Sequence, residues 1–228
     1  MHRYQILIEY VGTKFNGWQK QTKGKSIQKE IENNLSKLLK QKIVLYGSGR
    51  TDAGVHAIEQ SAHFDVKNKI QNISKIVKSL NFFLNNKMIS IIKIQRKNVN
   101  FHARYSAKER IYLYIIQNRT APSTLNKNRE WHIRKKLDIK LIKKGSKKLI
   151  GTHDFSTFRA SNCSSKSPIR TINKILVSKS KNSIKLKFKS KSFLKNQVRS
   201  MVGCLKYLGE GKWNLKKFEN VFIKKDRK

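Results

Sequence analysis

The stretch that decides the fold is Gly47-Ser48-Gly49-Arg50-Thr51-Asp52-Ala53-Gly54-Val55-His56-Ala57. It joins two predicted strands, and its glycines require a backbone that turns tightly or lets another molecule come close. An arginine and an aspartate stand two positions apart within it. The whole chain has 13 Asp and Glu against 52 Lys and Arg, so an acid in this loop calls for a specific role.

Periodic patterns on both sides of this loop predict the order β-α-β-β-α-β for the first part of the chain. Apolar residues alternate in the strands and recur every three or four positions in the helices, and Ser26 is a candidate helix cap. The predicted strands are 4–10, 43–46, 62–66 and 88–94, and the predicted helices are 26–40 and 73–84.

The second part of the chain repeats this order. Its predicted strands are 110–117, 169–177 and 184–188, and its predicted helices are 137–150, 193–208 and 215–223. The sequence therefore predicts an α+β protein of two ferredoxin-like (RRM-like) halves, 1–100 and 101–228, with a mixed or antiparallel sheet and a central basic cleft. The second half lacks its expected final strand, because the chain ends after a basic segment at 224–228, and this predicts an exposed sheet edge.

Composition favours a polyanionic partner. The net charge of the 228-residue chain is +39, which is typical of proteins that bind nucleic acid. Part of the lysine excess has an alternative origin in mutational pressure towards AT-rich codons. The two cysteines and six histidines form no metal-binding pattern. No apolar run is long enough to span a membrane, so a cytoplasmic protein without membrane contact is expected.

Asp52 is the candidate for chemistry. The loop matches neither the phosphate-binding loop of nucleotide hydrolases nor the dinucleotide fingerprint, because glycines and a lysine are missing at the required positions. A carboxylate held in a tight loop could act as a nucleophile or as a general base. The alternative is a turn-forming aspartate that caps the local backbone.

Five segments, in order along the chain, resemble the TruA family of tRNA pseudouridine synthases. The first is the glycine-containing stretch quoted above. The others are Tyr10-x-Gly12-x-x-Phe15-x-Gly17-Trp18-Gln19, Phe101-His102-Ala103-Arg104-Tyr105-Ser106-Ala107, Asp154-Phe155-x-x-Phe158-Arg159-Ala160 with Cys163, and Phe193-Leu194-x-x-Gln197-Val198-Arg199-x-Met201-Val202-Gly203. The resemblance extends from residue 4 to about residue 211.

The resemblance implies an isomerase that converts uridine to pseudouridine in the anticodon stem-loop of tRNA, at about positions 38–40, chosen by tRNA shape. It implies no cofactor and no metal. Asp52 matches the catalytic aspartate, which forms a covalent adduct at C1′ or at C6. The target base must leave its stack to be reached. Members of the family work as homodimers with tRNA lying across both subunits.

The same matching implies roles for three more residues. Arg50 matches the residue that fills the place vacated by the base; the alternative is a salt bridge to Asp52. Tyr112 matches the tyrosine that stacks on the base and is a candidate acceptor of its C5 proton; the alternative is a half-buried strand tyrosine. Arg199 matches the basic partner of the aspartate, which predicts an ion pair that lowers the Asp52 pKa. An arginine reaching from the helix surface to water is the alternative.

Five further residues match stretches that contact RNA: Phe101, His102, Arg104, Asn162 and Lys166. Basic loop residues are common in this chain, so this match is weaker. On chemistry alone, His56, His63 and His102 are expected to have structural roles. Two other functions stay open at this point. One is a catalytically dead, truncated tRNA-binding protein of the same fold, and the other is a basic structural protein associated with the ribosome.

Overall fold

The computed structural model describes residues 1–224; the predicted basic segment beyond residue 224 lies outside the described residues. The chain divides into two compact units, Met1–Ala107 and Lys108–Lys228. Each unit has one sheet, helices on one face of that sheet and a separate apolar core, so the α+β class is confirmed. None of the helices described between residues 1 and 224 could span a lipid bilayer.

The first unit contains a four-stranded antiparallel sheet in the order β2-β3-β1-β4. The strands are β1 (His2–Tyr10), β2 (Tyr46–Gly47), β3 (Ala57–Val66) and β4 (Ile89–Lys97), and the helices are α1 (Ile27–Leu39) and α2 (Ile73–Leu84). Alternate residues of β1 are buried, which is the pattern of a strand with one face on a core. Ser26 caps α1 by accepting a hydrogen bond from the Lys29 N–H, as predicted.

The predicted strand at 43–46 is wrong over most of its length. Only Tyr46 and Gly47 pair with β3. The N–H of Ile43 donates to the Ser36 hydroxyl at 2.9 Å, and the N–H of Leu45 donates to the Glu32 carboxylate at 2.9 Å. These backbone groups therefore bond to side chains of α1 rather than to a neighbouring strand.

The second unit contains a five-stranded sheet in the order β6-β5-β9-β8-β7. The strands are β5 (Arg110–Asn118), β6 (Trp131–Ile133), β7 (Gly151–Asp154), β8 (Ile169–Ser180) and β9 (Ser183–Ser190), and the helices are α3 (Ile139–Lys148), α4 (Gln197–Gly209) and α5 (Leu215–Ile223). The predicted hairpin is β8–β9. The short strands β6 and β7 were not predicted.

Strand β5 has a partner along only part of its outer side. Its last three residues pair in parallel with β6, and its other side pairs with β9. Within residues 1–224, no strand pairs with the rest of its outer edge, Arg110 to Ile115. Trp131–Ile133 thus occupies part of the position where a closing strand was expected.

Candidate active site

The glycine loop (residues 47–54) is fixed against the segment that follows β1. The backbone N–H of Trp18 donates to the Thr51 carbonyl at 3.0 Å, and the Gly54 N–H donates to the Phe15 carbonyl at 3.3 Å. The Tyr10 and Thr51 hydroxyls lie 2.8 Å apart and share a hydrogen bond. Two sequence motifs that are about 30 residues apart therefore form one structure.

Close contact between these two segments explains their glycines. A Cβ atom at Gly12 would lie 2.0 Å from the Val55 carbonyl oxygen, and one at Gly17 would lie 2.5 Å from the Thr51 carbonyl oxygen. Gly17 also has φ of +99°, a conformation that side chains disfavour. The backbone around Thr51 and Asp52 can therefore hold this position only because glycines face it.

Asp52 is partly exposed in this loop. Its carbonyl oxygen accepts a hydrogen bond from the Val55 N–H at 3.2 Å, which closes a turn. Among residues 1–107, nothing donates a hydrogen bond to its carboxylate or forms an ion pair with it. The alternative in which the Asp52 side chain caps its own turn is therefore wrong, and within this unit the carboxylate is left for a partner.

Arg50 is exposed and forms no ion pair within its unit. The alternative of a salt bridge from Arg50 to Asp52 is therefore also wrong. The loop backbone nearby is held by Gln60, whose side-chain amide donates to the Gly49 carbonyl at 2.6 Å. A fixed backbone with a free guanidinium is an arrangement suited to binding an external group.

The segment 99–105 packs on the outer face of the first sheet, which is the face opposite the helices. His63 is 1% exposed beneath it, and its Nδ1 accepts a hydrogen bond from the Ala103 N–H at 3.2 Å. The rings of His63 and His102 lie 4.6 Å apart, and His63 also stacks on Tyr46 at 5.1 Å. Burial is the largest cause that lowers the pKa of His63 to about 4, and the charge of Arg3 adds to it.

An ion pair fixes the start of the same segment. Arg3 donates to both carboxylate oxygens of Asp65, at 2.8 and 2.7 Å, and its remaining terminal nitrogen donates to the carbonyls of Val99 and Phe101. The hydrogen bond from Arg3 is the main cause that lowers the pKa of Asp65. A bidentate pair of this kind sets both position and orientation.

Two candidate residues of segment 99–105, His102 and Arg104, lie beside an exposed ring. Tyr105 is 74% exposed, its ring centroid is 4.4 Å from that of His102, and the Arg104 guanidinium lies 5.8 Å from it. Phe101 meets the edge of the His63 ring at 6.1 Å, and the ammonium of Lys97 lies 5.5 Å from the Phe101 ring. Because Tyr46 is one residue before the glycine loop and 6.1 Å from His102, Tyr46 connects these two candidate regions.

In the second unit, Tyr112 and Arg199 belong to neighbouring elements. Tyr112, on β5, is half-buried and meets the edge of the Phe193 ring at 5.0 Å. Arg199 is in the first turn of α4 and is exposed. Burial raises the pKa of Tyr114, and the positive charge of Arg199 opposes this rise. An exposed arginine has no burial cost to offset, so its environment alone does not require an acidic partner.

The remaining candidates, Asn162 and Lys166, are both exposed in the loop between β7 and β8. The Ala160 N–H donates to the Lys195 carbonyl at 2.9 Å, which holds this loop beside the start of α4. Within the second unit, as far as residue 224, neither side chain forms an ion pair or hydrogen bond. Both side chains are available to an external ligand.

The candidate residues are thus divided between the two units. Arg50, Asp52, Phe101, His102 and Arg104 belong to the first, and Tyr112, Asn162, Lys166 and Arg199 belong to the second. Sequence reasoning did not identify the residues that hold the first group in place. Tyr10, Thr51, Arg3 and Asp65 act through contacts between distant positions, and only the spaced glycines at 12 and 17 hinted at close packing.

The chain is similar in sequence to known proteins. The model of a family described as tRNA pseudouridine synthase matches residues 6–106 and 146–228. A protein of Pelagibacter ubique (strain HTCC1062) named tRNA pseudouridine synthase A is 63% identical over 227 residues, which cover 100% of this chain and 92% of that protein. A protein of Paramagnetospirillum magneticum (strain ATCC 700264 / AMB-1) with the same name is 42% identical, over 100% of this chain and 88% of that protein.

Proposed function

The chain belongs to the tRNA pseudouridine synthase family, and we propose that it converts uridine to pseudouridine in the tRNA anticodon stem-loop, at about positions 38–40, by recognising tRNA shape. Asp52 is the nucleophile of this reaction. The glycine loop carries the proposal, because it presents an Asp52 carboxylate that no group of its own unit uses. A structural aspartate in a loop packed this closely would be expected to hydrogen-bond its neighbours.

The reaction rearranges one nucleoside without a second substrate. The C1′–N1 bond of uridine breaks, the uracil turns, and C5 forms the new bond to C1′. The proton on C5 leaves to solvent and N1 gains one, so the atoms of substrate and product balance. Asp52 holds the intermediate through a covalent adduct at C1′ or at C6.

Arg50 takes the place of the target base once the base has left the stack. A uridine within a stem is out of reach of Asp52 until it is flipped. Arg50 is exposed and its guanidinium is not paired within its unit, so it can enter the duplex without breaking a protein contact. Planar guanidinium groups stack on bases, which suits this role.

Tyr112 stacks on the flipped uracil, and Arg199 pairs with Asp52. Stacking of a base on an aromatic ring contributes about 1–3 kcal/mol, so loss of the Tyr112 ring weakens binding as well as turnover. The ion pair with Arg199 would stabilise the ionised form of the Asp52 carboxylate, as a nucleophile needs.

The proposal includes two ferredoxin-like halves that form a basic cleft for tRNA. The strand order β2-β3-β1-β4, with α1 and α2 on one face, supports this for the first unit. The order β5-β9-β8, with α3 and α4 on one face, supports it for the second.

The remaining contacts to RNA come from Phe101, His102, Arg104, Asn162 and Lys166. A cytoplasmic homodimer is the expected form, and light scattering of the purified protein measures its mass.

The test uses tRNA transcripts that carry tritium at uridine C5. The natural protein should release the label to water, and Asp52→Asn, which keeps the size of the side chain, should abolish release while tRNA binding persists. Binding by the natural protein without any release would instead identify a tRNA-binding protein that has lost its activity. Arg50→Ala should slow release far more than it weakens binding, and equal losses would make Arg50 an ordinary phosphate contact.

A further inference from the structure

The outer face of the second sheet carries a row of lysines along its central strand. In β9, Ile184, Leu186 and Phe188 are fully buried against the helices. The alternate positions, Lys185 and Lys187, are exposed, and Lys189 is partly exposed. Because side chains alternate across a strand, the three lysines project from the same face.

Aliphatic side chains flank this row on the neighbouring strands. The register pairs Lys187 with Leu113 of β5 and with Leu176 of β8, and these leucines are 42% and 44% exposed. It also pairs Lys189 with Ile111 and Lys174. Lysine stems can lie along such apolar neighbours while their ammonium groups stay in water. We call Lys174, Lys185, Lys187 and Lys189 the lysine face.

The charge of the lysine face is largely uncompensated. Lys189 forms an ion pair with Glu109 at 3.2 Å. Within residues 108–224, no acid forms an ion pair with Lys174, Lys185 or Lys187. Alternate residues of a strand are about 6.5–7 Å apart, which is comparable to the separation of successive phosphates along one nucleic-acid strand.

We propose that the lysine face binds the phosphate backbone of RNA without reading its sequence. Among the outward positions of β5, β8 and β9 there is no aromatic side chain on which a base could stack. Identification of this RNA as the body of the tRNA substrate rests on the proposed function. The contribution of the face is therefore affinity and placement of the tRNA, while the chemistry is carried out elsewhere.

Two alternative roles for these lysines predict different outcomes. If the lysines only reflect the composition of the chain, they are equivalent to exposed lysines on the helical side of the same unit, such as Lys140 and Lys144 of α3. If the exposed leucines form a contact with a second copy of the chain, their loss changes the oligomeric state. Juxtaposed lysines of two copies repel each other, which disfavours that contact.

The test compares Lys185→Gln/Lys187→Gln with the matched control Lys140→Gln/Lys144→Gln. The probes are an unmodified tRNA transcript and an RNA duplex of unrelated sequence, with dissociation constants measured between about 50 and 200 mM salt. The first variant should weaken binding of both probes about tenfold and reduce the salt slope by about 1.5, because two phosphate contacts are lost. The control variant should change the dissociation constants and the salt slope by clearly less.

Activity separates this inference from the proposed function. Lys185→Gln/Lys187→Gln should raise the KM for tRNA in the tritium-release assay about tenfold, whereas the control Lys140→Gln/Lys144→Gln should keep the natural KM and the natural rate of release. If the natural protein releases no tritium, the proposed function fails, while the binding comparison still decides the role of the lysine face. Equal losses in the two lysine variants, or a changed oligomeric state with unchanged RNA affinity, would overturn the inference.

Discussion

The two units treat the outer faces of their sheets in opposite ways. In the first unit, segment 99–105 packs on the outer face and excludes water from His63. In the second unit, the corresponding face is open, and Lys185 and Lys187 project from it into solvent. The outer face of the first sheet is polar, closely packed and continuous with the glycine loop through Tyr46. The outer face of the second sheet is exposed and positively charged.

This difference separates two kinds of contribution to function. Where atoms are packed in contact, a change of one carbon or one proton moves the backbone, because protein interiors have no spare volume. Where charges stand in water, each contributes a small and nearly independent part of the binding free energy. We therefore expect single substitutions in the first unit to have large effects and single substitutions on the lysine face to have small ones.

Gly17→Ala should have the largest effect on the closely packed contacts of the first unit. The new Cβ would lie 2.5 Å from the Thr51 carbonyl oxygen, at φ of +99°, so the glycine loop must shift. We expect a loss of about 3 kcal/mol in the free energy of unfolding and a loss of about 100-fold or more in tritium release. Urea unfolding and the release assay measure the two effects.

Gly203→Ala is the matched control for this substitution. Nothing lies within 4 Å of a Cβ at Gly203, which is inside α4, so alanine should stabilise the protein by about 0.5–1 kcal/mol. If Gly17→Ala behaves like this control, then close packing does not fix the glycine loop.

Protonation of His63 should loosen the packing of segment 99–105 on the outer face of the first sheet. Its pKa is lowered from 6.5 to about 4 in the folded protein, so the unfolded chain binds this proton more readily. The stability that neutral His63 contributes is complete above pH 6.5 and falls as the pH drops towards about 4, by up to about 3 kcal/mol. The charged ring would also lose the hydrogen bond that Nδ1 accepts from the Ala103 N–H.

The comparison that isolates His63 is His63→Asn. The asparagine side-chain oxygen can accept the Ala103 hydrogen bond but gains no proton in this range. Urea unfolding between pH 7 and pH 4, a range given by the same pKa values, should show a shallower loss of stability in the variant. Equal slopes in the two proteins would mean that His63 is not responsible for the loss.

Arg3→Lys should also loosen the packing of segment 99–105 on the first sheet, with a smaller loss of stability. Lysine cannot keep two hydrogen bonds to Asp65 and also serve the Val99 and Phe101 carbonyls. We expect a loss of about 1–2 kcal/mol in the free energy of unfolding. Lys148→Gln, which breaks the more exposed ion pair with Glu219, should cost less than about 0.5 kcal/mol. Equal losses in these two variants would show that Arg3 is an ordinary surface residue.

Local patterns predicted most elements of both units, because the residues that form them face one core. The alternation in β1 and the helical spacing in α2 and α5 are complete within each element. The strand β6 could not be predicted, since three residues, Trp131–Ile133, are too few to show a period. The predicted start of α4 at residue 193 was four residues early, because Asn196 has φ of +62° and Gln197 begins the helix.

The candidate site was predictable where composition makes a residue conspicuous. Asp52 is conspicuous because acids are rare in this chain and glycines surround it. The Tyr10–Thr51 hydrogen bond and the burial of His63 by segment 99–105 were not predictable, since each joins positions about 40 apart along the chain. The position of Tyr10 opposite Ala57, for example, depends on the register of β1 with β3, which no local pattern specifies.

Lys187→Gln alone should give the smallest effect and sharpen the contrast between the two units. Lys187 is exposed and forms no ion pair within residues 108–224, so the free energy of unfolding should change by less than about 0.5 kcal/mol. One lost phosphate contact should weaken tRNA binding about two- to threefold and lower the salt slope by slightly under one. A larger loss that does not decrease with salt would mean that Lys187 makes a specific, desolvated contact, and the second face would then resemble the first.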